Sequence, residues 1–211
     1  MSYKVQNIIV GAAKLYLSVK DSTDPTFIVG GAFGPALPTA TVGQSITVAL
    51  DADTTNWRHA GYTTNGVEVS YEPTYGEIPV DQSLDAAKLF KQSMTASVKT
   101  EFAEATLENL LVVWGQQAST LSSGVLGISS GALGDEPVER SLAFVGPAPR
   151  GASNAIQERI YHVHRALSVE STSHGIKRDS GTMFPVGFRL LADPSRSGKE
   201  YGSVTDRVKT A

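Results

Sequence analysis

The hydrophobic period of this chain changes abruptly near its middle, and the change dictates what lies on either side. In Met94–Phe102 the residues Met94, Ala96, Val98 and Phe102 alternate with Thr95, Ser97, Lys99 and Glu101. That is the period of a half-buried strand. Directly after it, Ala103, Leu107, Leu110, Leu111 and Trp114 recur at spacings of four, three, one and three, one face of an α-helix. Glu101, Glu104 and Glu108 crowd the start, where carboxylates meet the positive end of the helix dipole, and Gly115 suits a left-handed C-terminal cap. The spacing predicts a helix over about 103–114, packed through Leu107, Leu110, Leu111 and Trp114. Its second half, LLVVW, is apolar nearly all round, which asks for cover on more than one side.

Upstream the strand period continues. Gly66–Glu72 places Val67, Val69 and Tyr71 on one face, behind Asn65-Gly66, a pair that tolerates positive φ and reads as a turn. Pro73-Thr74-Tyr75-Gly76 reads as a second turn into a short strand, Glu77–Gln82, so that the two strands make a hairpin. Further strands are predicted at Asn7–Val10, Lys14–Val19, Gln44–Leu50, Gly124–Ile128, Arg140–Val145, Arg159–Val169 and Thr182–Leu191. Pro185 puts the last of these at an edge or at the start of a pairing. Lys20–Gly43 is rich in Gly, Pro, Asp and Thr, with Phe27, Ile28, Val29 and Phe33 set among the breakers. It reads as a surface loop or an extended hairpin arm. Asp51–His59 reads as a polar turn carrying Trp57, and Ala192–Ala211 as a polar, loosely held tail. About eight to ten strands and one good helix make a mainly β, sandwich or barrel-like domain. The expected organisation is one domain over 1–211, with 20–56 as an inserted arm and 192–211 as a C-terminal extension.

Composition narrows the function. Without cysteine there is neither a disulfide scaffold nor a thiolate metal site. No stretch approaches a membrane span, and the N-terminus lacks the charged start and apolar run of a signal peptide. The net charge of -3 is unevenly spread: residues 61–139 are strongly acidic and residues 140–211 are basic. Either strands from the two parts interleave their charges within one sheet, or the subunit carries complementary surfaces that favour head-to-tail assembly. No run of Lys and Arg supports tight nucleic-acid binding.

A search for chemistry returns little. Gly127-Ile128-Ser129-Ser130-Gly131 matches the nucleophile-elbow pattern, but Ala132–Pro137 cannot supply the helix that pattern needs. His162 and His164 share a strand face without a third ligand in view, and read as an exposed polar face. His59 and His174 have no supporting carboxylate spacing. Neither Gly30–Gly34 nor Arg196–Lys199 completes a phosphate-binding motif. No catalytic, metal or cofactor residue is assigned.

Three stretches in order carry a resemblance: GYTTNGVEVSYEP at Gly61–Pro73, EIPVDQSL at Glu77–Leu84 and EFAEATLENLLVVWG at Glu101–Gly115. FVGPAP at Phe144–Pro149, RAL at Arg165–Leu167 and MFPVGFRLLADPS at Met183–Ser195 follow in the same order. Together they resemble the major tail tube proteins of long-tailed, siphovirus-type phages from about residue 57 to about residue 207. The resemblance implies a β-sandwich flanked by a helix, hexameric rings stacked into a hollow tail tube, and DNA passing through the lumen without specific binding. It implies no enzyme activity and no cofactor. It implies self-association and tail-tip or initiator, tape measure and tail terminator proteins as partners, in the virion tail and, during assembly, the host cytoplasm. Glu68, Glu72, Glu77 and Asp81 become candidate lumen or inter-subunit carboxylates, and Phe27, Ile28 and Phe33 a candidate ring-stacking arm. The alternatives are a tube protein of a contractile tail or secretion-like apparatus, and a carbohydrate- or cell-surface-binding β-domain using Trp57, Tyr62, Tyr71 and Tyr75.

Overall fold

The computed structural model describes residues 7–79, 81, 85–151, 154–170, 172–179 and 181–209. The elements are β1 (Lys14–Ser18), β2 (Ile28–Val29), β3 (Ala32–Phe33), α1 (Ile46–Ala52), β4 (Trp57–His59), β5 (Thr63–Ile78), β6 (Lys88–Phe102) and α2 (Leu107–Val113). They continue with β7 (Leu121–Ser122), β8 (Val125–Leu126), β9 (Arg140–Pro147), β10 (Gln157–Ser168), β11 (Phe184–Leu191) and β12 (Gly202–Val208). One antiparallel sheet runs β4-β1-β9-β10-β11-β6-β5, with β12 joined to the first half of β10. The fold is mainly β with two short helices, as expected in class.

The sheet curls until its two ends share a core. Leu15 and Leu17 of β1, Leu142 and Phe144 of β9 and Val163 and Ala166 of β10 pack in one cluster with Val98 and Phe102 of β6 and Val186 and Phe188 of β11. Leu111, Val112 and Val113 of α2 join that cluster. Between Val163 and Ala166 the register of β10 slips against β9. That bulge lets both residues face the same core although they are three apart.

The other face of β1, β9 and β10 is also buried. Tyr16, Ala143, Val145 and Ile160 point away from the first core into a second one, closed by Ile46 and Leu50 of α1 and by Trp57. The Lys20–Asn56 region therefore forms a second layer over the sheet, where the sequence reads as an inserted surface loop or extended hairpin arm. Phe27 is only 1% exposed and belongs to the interior, so it is unavailable for stacking between subunits. Gly30 and Gly31, both with positive φ, turn β2 into β3, leaving Ile28 and Val29 exposed at the tip. Half-buried Phe33 lies 4.0 Å beneath the Arg165 guanidinium, and its N–H donates to Asp193. At its start the layer is held by the buried Asp21–Arg140 pair at 3.1 Å.

Gln44–Leu50 is a helix start, not a strand. Its β-branched residues favour a strand locally, but Ser45 caps the helix, and Ile46 and Leu50 fall one turn apart on the buried side. Buried Glu158 of β10 accepts the Ile46 N–H at 2.7 Å and the Ser45 hydroxyl. Trp57, read as part of a polar turn, is 1% exposed and donates its indole N–H to the Ala36 carbonyl at 3.2 Å.

Four other readings change. Asn7–Val10 is not in a strand, and Ile8 and Val10 stand exposed. Asn65 and Gly66 do have positive φ, but as a bulge inside β5 opposite Glu101 and Thr100, not a hairpin turn. The chain does not turn at Pro73–Gly76: β5 runs 16 residues through it, with a register shift against β6 between Thr74 and Tyr75. An edge strand tolerates Pro73, and Phe90 covers Gly76, where an added Cβ would meet the ring at 2.6 Å. Val80 and Gln82, in the predicted Glu77–Gln82 strand, and Ser83 and Leu84 lie outside the described residues. The supposed loose tail contains β12 and the fully buried Asp193. Pro185 sits where β11 pairs only with β6, before its pairing with β10 begins at Phe188.

The helix is shorter than the spacing predicts. Thr106 caps it and Ala103–Ala105 precede it. Leu111 is buried and Leu110 partly so, but Leu107 and Trp114 are exposed at 38% and 36%. Asn109 takes the buried place instead, donating to the carbonyls of Ala60 and Glu104 at 2.8 and 3.0 Å. Gly115 ends the helix with φ +60, its N–H bonded to Val112 and that of Gln116 to Leu111. This is the two-bond left-handed cap.

His162 and His164 are 6% and 3% exposed, not on an open polar face. Their rings meet edge-on at 4.6 Å beneath the second layer, with Trp57 against His162. Burial, together with His164 and Arg196, pushes His162 down to about 3; burial and Arg196 push His164 down to about 4. Both are thus neutral in the folded protein where the unfolded chain, with an ordinary value of 6.5, takes up protons. Their contribution to stability is complete above about pH 6.5 and is lost as pH falls toward the folded values. Urea midpoints should drop steadily between about pH 6.5 and about pH 4, and His162→Gln/His164→Gln should flatten that drop.

A second test concerns Gly34. Gly34 and Gly31 both have left-handed φ, but a Cβ on Gly34 would lie 1.7 Å from the Ser141 Oγ while one on Gly31 meets nothing. Gly31→Ala should cost about 1 kcal/mol of unfolding free energy and Gly34→Ala about 3 kcal/mol or more, read by urea denaturation.

Candidate assembly surfaces

Half of the β5–β6 hairpin belongs to the sheet and half does not. β6 pairs with β11 only over Ser97–Phe102, so from Lys88 to Ala96 it has β5 as its sole neighbour. The outer half is a two-stranded ribbon carrying exposed Tyr71, Tyr75, Ile78, Leu89 and Phe90. An isolated ribbon of that kind is marginal in water, and its free edge invites another chain.

The ribbon and the adjoining strands have two distinct faces. Val67, Val69, Tyr71 and Pro73 look toward the core side, opposite Thr100, Val98, Ala96 and Met94. The other face is polar: Glu68, Ser70, Glu72 and Thr74 stand opposite Lys99, Ser97, Thr95 and Ser93. Arg189 of β11 adjoins Ser97 there, and Glu170 lies against Gly187 and pairs with Lys99 at 2.7 Å. Glu101 continues the row, its carboxylate accepting the Asn65 amide at 3.0 Å. Glu68, Glu72, Glu101 and Glu170 thus outnumber Lys99 and Arg189. Of the four candidate carboxylates, the structure brings Glu68 and Glu72 together on this face. Strand alternation puts Glu77 on the opposite face, and Asp81 lies in the turn beyond β5.

Ion pairing separates the two readings of the charge distribution. Arg159–Asp206, Arg207–Glu158 and Arg196–Asp193 all lie within the basic last third. Among the described residues, Arg165–Glu139 and Lys99–Glu170 are the ion pairs joining that third to the acidic middle. Glu68, Glu72, Glu77, Asp81, Glu104 and Glu108 stand in no ion pair among the described residues. Those six carboxylates are therefore without a salt-bridge partner among the described residues. Asp193 serves structure. Burial would raise its carboxyl, but hydrogen bonds from Ser195, the Phe33 N–H and Arg196 outweigh it and bring it down to about 2.

The remaining motifs resolve plainly. Ser129 lies in an exposed loop, its N–H and carbonyl bonded to the Gln116 side chain at 3.3 Å, with no helix behind it. His59 packs on Tyr16 and His174 on Phe184. No cluster of metal-ligating side chains exists among the described residues. Buried Trp57 cannot join Tyr62, Tyr71 and Tyr75 in a carbohydrate-binding groove.

Two features escaped sequence reasoning. The continuity of β5 through Pro73–Gly76 was masked by breakers that an edge position tolerates. The buried histidines were masked by their polarity; the signal was present in the apolar residues Ile160, Val163, Ala166 and Leu167 that flank them on both faces.

Compared with known proteins, residues 6–200 match a family model described as phage tail tube protein. No curated protein matches the chain.

Proposed function

The chain belongs to the phage tail tube protein family, and on that premise we propose that its subunits close into hexameric rings that stack into the hollow tube of a long, non-contractile tail. The family is structural and not enzymatic, and its place is the virion tail. The observation that carries the ring reading is the β5–β6 ribbon, a long edge with exposed aromatic residues that the subunit itself does not cover. Pairing it with a neighbour removes that edge, and repeated around an axis it closes a shared barrel.

The polar face bearing Glu68, Glu72, Glu101 and Glu170 lines the bore in this reading. A carboxylate-rich wall repels the phosphate backbone and lets DNA slide, whereas a cationic wall would hold it through counterion release. DNA passes without specific binding. Stacking between rings uses the exposed Ile28–Val29 tip. The tube's ends meet the tail-tip initiator and the terminator, and its bore holds the tape measure before DNA enters. A sheath gene beside this one would instead assign the tube to a contractile tail or a related secretion apparatus.

The test is a charge reversal that leaves the fold alone. Both Glu68 and Glu72 are exposed and Glu68 stands opposite Lys99, so Glu68→Lys/Glu72→Lys should still fold as a monomer, at a cost of about 1 kcal/mol or less. Phage carrying it should release DNA about tenfold more slowly or worse, with the defect easing as salt rises. Ejection at the parental rate at low salt would remove these residues from the bore.

A further inference from the structure

Besides the ribbon's edge, the bore and the stacking tip there are two further surfaces, one of them built partly on the ribbon's core-facing side, and they fit each other. The first is a cleft of about 550 Å³ between the two branches of the curled sheet. Tyr71 and Met94 form one wall, and Tyr161 and Val204 the other. It opens directly onto the core residues of β6 and β11, and Tyr71 and Val204 are each 60% exposed. Lys91 and Lys199 stand at its rim. The Lys91 ammonium is 3.3 Å from the Tyr71 hydroxyl, and neither lysine is in an ion pair among the described residues.

The second is the loop after β8. Leu133 at its tip is the most exposed of the large hydrophobic residues, at 107%. Its backbone is nonetheless organised. The Asp135 N–H donates to the Ala132 carbonyl at 3.2 Å, and the Asp135 carboxylate accepts the Ala132 N–H at 2.6 Å. Gly131 and Gly134 on either side take the left-handed φ values, +66 and +92, that this tight tip requires. Gln116 ties the base of the loop to the end of α2. The result is a leucine held out in water with Asp135 and Glu136 beside it.

We propose that Leu133 of one subunit inserts into the Tyr71–Val204 cleft of a second copy, with Asp135 and Glu136 against Lys91 and Lys199. The inference rests on the ring-and-tube reading and names a contact that reading leaves open. Three observations support it. An apolar knob faces an apolar cleft continuous with a core, so its burial removes two exposed apolar surfaces from water. Asp135 and Glu136 beside the knob are opposite in sign to Lys91 and Lys199 at the cleft, and none of the four stands in an ion pair among the described residues. Glu200 is the one acidic residue lining the cleft, and its carboxylate accepts the Gly198 N–H. Knob and cleft are different surfaces, which permits the heterologous, copy-to-copy contact that a closed or stacked assembly requires. One leucine contributes only part of an interface, so the contact fixes the geometry of a larger one.

The experiment uses tails built in cells that express two variants of this cysteine-free chain, Leu133→Cys and Val204→Cys. Any disulfide between the two is necessarily intermolecular. Mild oxidation of purified tails should give a Leu133–Val204 cross-linked dimer, and Leu133→Cys paired with Val42→Cys, exposed elsewhere, should give none. Leu133→Asp should lower tail yield about tenfold or more, while Leu133→Met retains it and both monomers melt like the parent. Assembled tails without the Leu133–Val204 cross-link, or normal tail yield with Leu133→Asp, overturn the knob contact and leave the ring reading standing. Tails that lack this chain overturn both.

Discussion

Three strands at the centre, β1, β9 and β10, are buried on both faces, and the rest of the architecture follows from that. A sheet buried on both sides needs two covering layers. The first comes from the sheet itself, which curls so that β6 and β11 close over Leu15, Leu142 and Phe144 with α2 at the end. The second is the Lys20–Asn56 segment with α1 and Trp57 over Tyr16, Ala143 and Ile160. Polar groups caught between layers are tied by specific partners. Glu158 caps α1 from a neighbouring strand, Asp21 meets Arg140, and Asp193 gathers Phe33, Ser195 and Arg196. Glu158 with Ile46, Asp21 with Arg140 and Asp193 with Phe33 join residues more than a hundred positions apart, so the second layer is held by bonds as well as by apolar area. Buried charges require such partners, since unpaired they would be strongly destabilising.

With the buried carboxylates of the core partnered in this way, the unpartnered side-chain groups inside, among the described residues, are the ring nitrogens His162 Nε2 and His164 Nδ1, and the open surfaces lie at the periphery. They are the outer half of the β5–β6 hairpin, the acidic polar face beside it, the tip of β2–β3 and the loop carrying Leu133. A subunit that solves its own burial problem at the centre and leaves a long edge, a negative face and an apolar knob at its periphery is suited to existing in quantity and ordering only against copies of itself. The chain belongs to the phage tail tube family, and membership implies self-assembly. The charge asymmetry fits the same division: among the described residues Arg140, Arg159, Arg165, Arg196 and Arg207 of the last third stand in ion pairs, whereas Glu68, Glu72 and Glu77 of β5 do not.

How much was legible depended on how local the physics was. The alternation through Met94, Ala96, Val98 and Phe102, the left-handed cap at Gly115 and the pairing boundary at Pro185 are set by period, φ preference and a missing N–H, all properties of short stretches. Each appears in the structure where it was expected. Readings failed where a distant residue intervened. Gln44–Leu50 is helical because Glu158, over a hundred residues away, completes its cap. His162 and His164 are interior because the arm folds back over them. Pro73–Gly76 is strand because it lies at an edge where the missing N–H bonds nothing and Phe90 fills the space above Gly76.

The sequence by itself determined a mainly β chain with a strand-to-helix junction near residue 102, no motif complete enough to assign chemistry, and an acidic middle. Patterning and composition act residue by residue, so they can be read without coordinates. Only the tertiary structure decided that the breaker-rich arm is a covering layer, that Glu68 and Glu72 share a face while Glu77 does not, and that an apolar cleft and an exposed leucine stand apart on one subunit. Those outcomes depend on the sheet's curl and on bonds between residues remote in sequence, which no local pattern records.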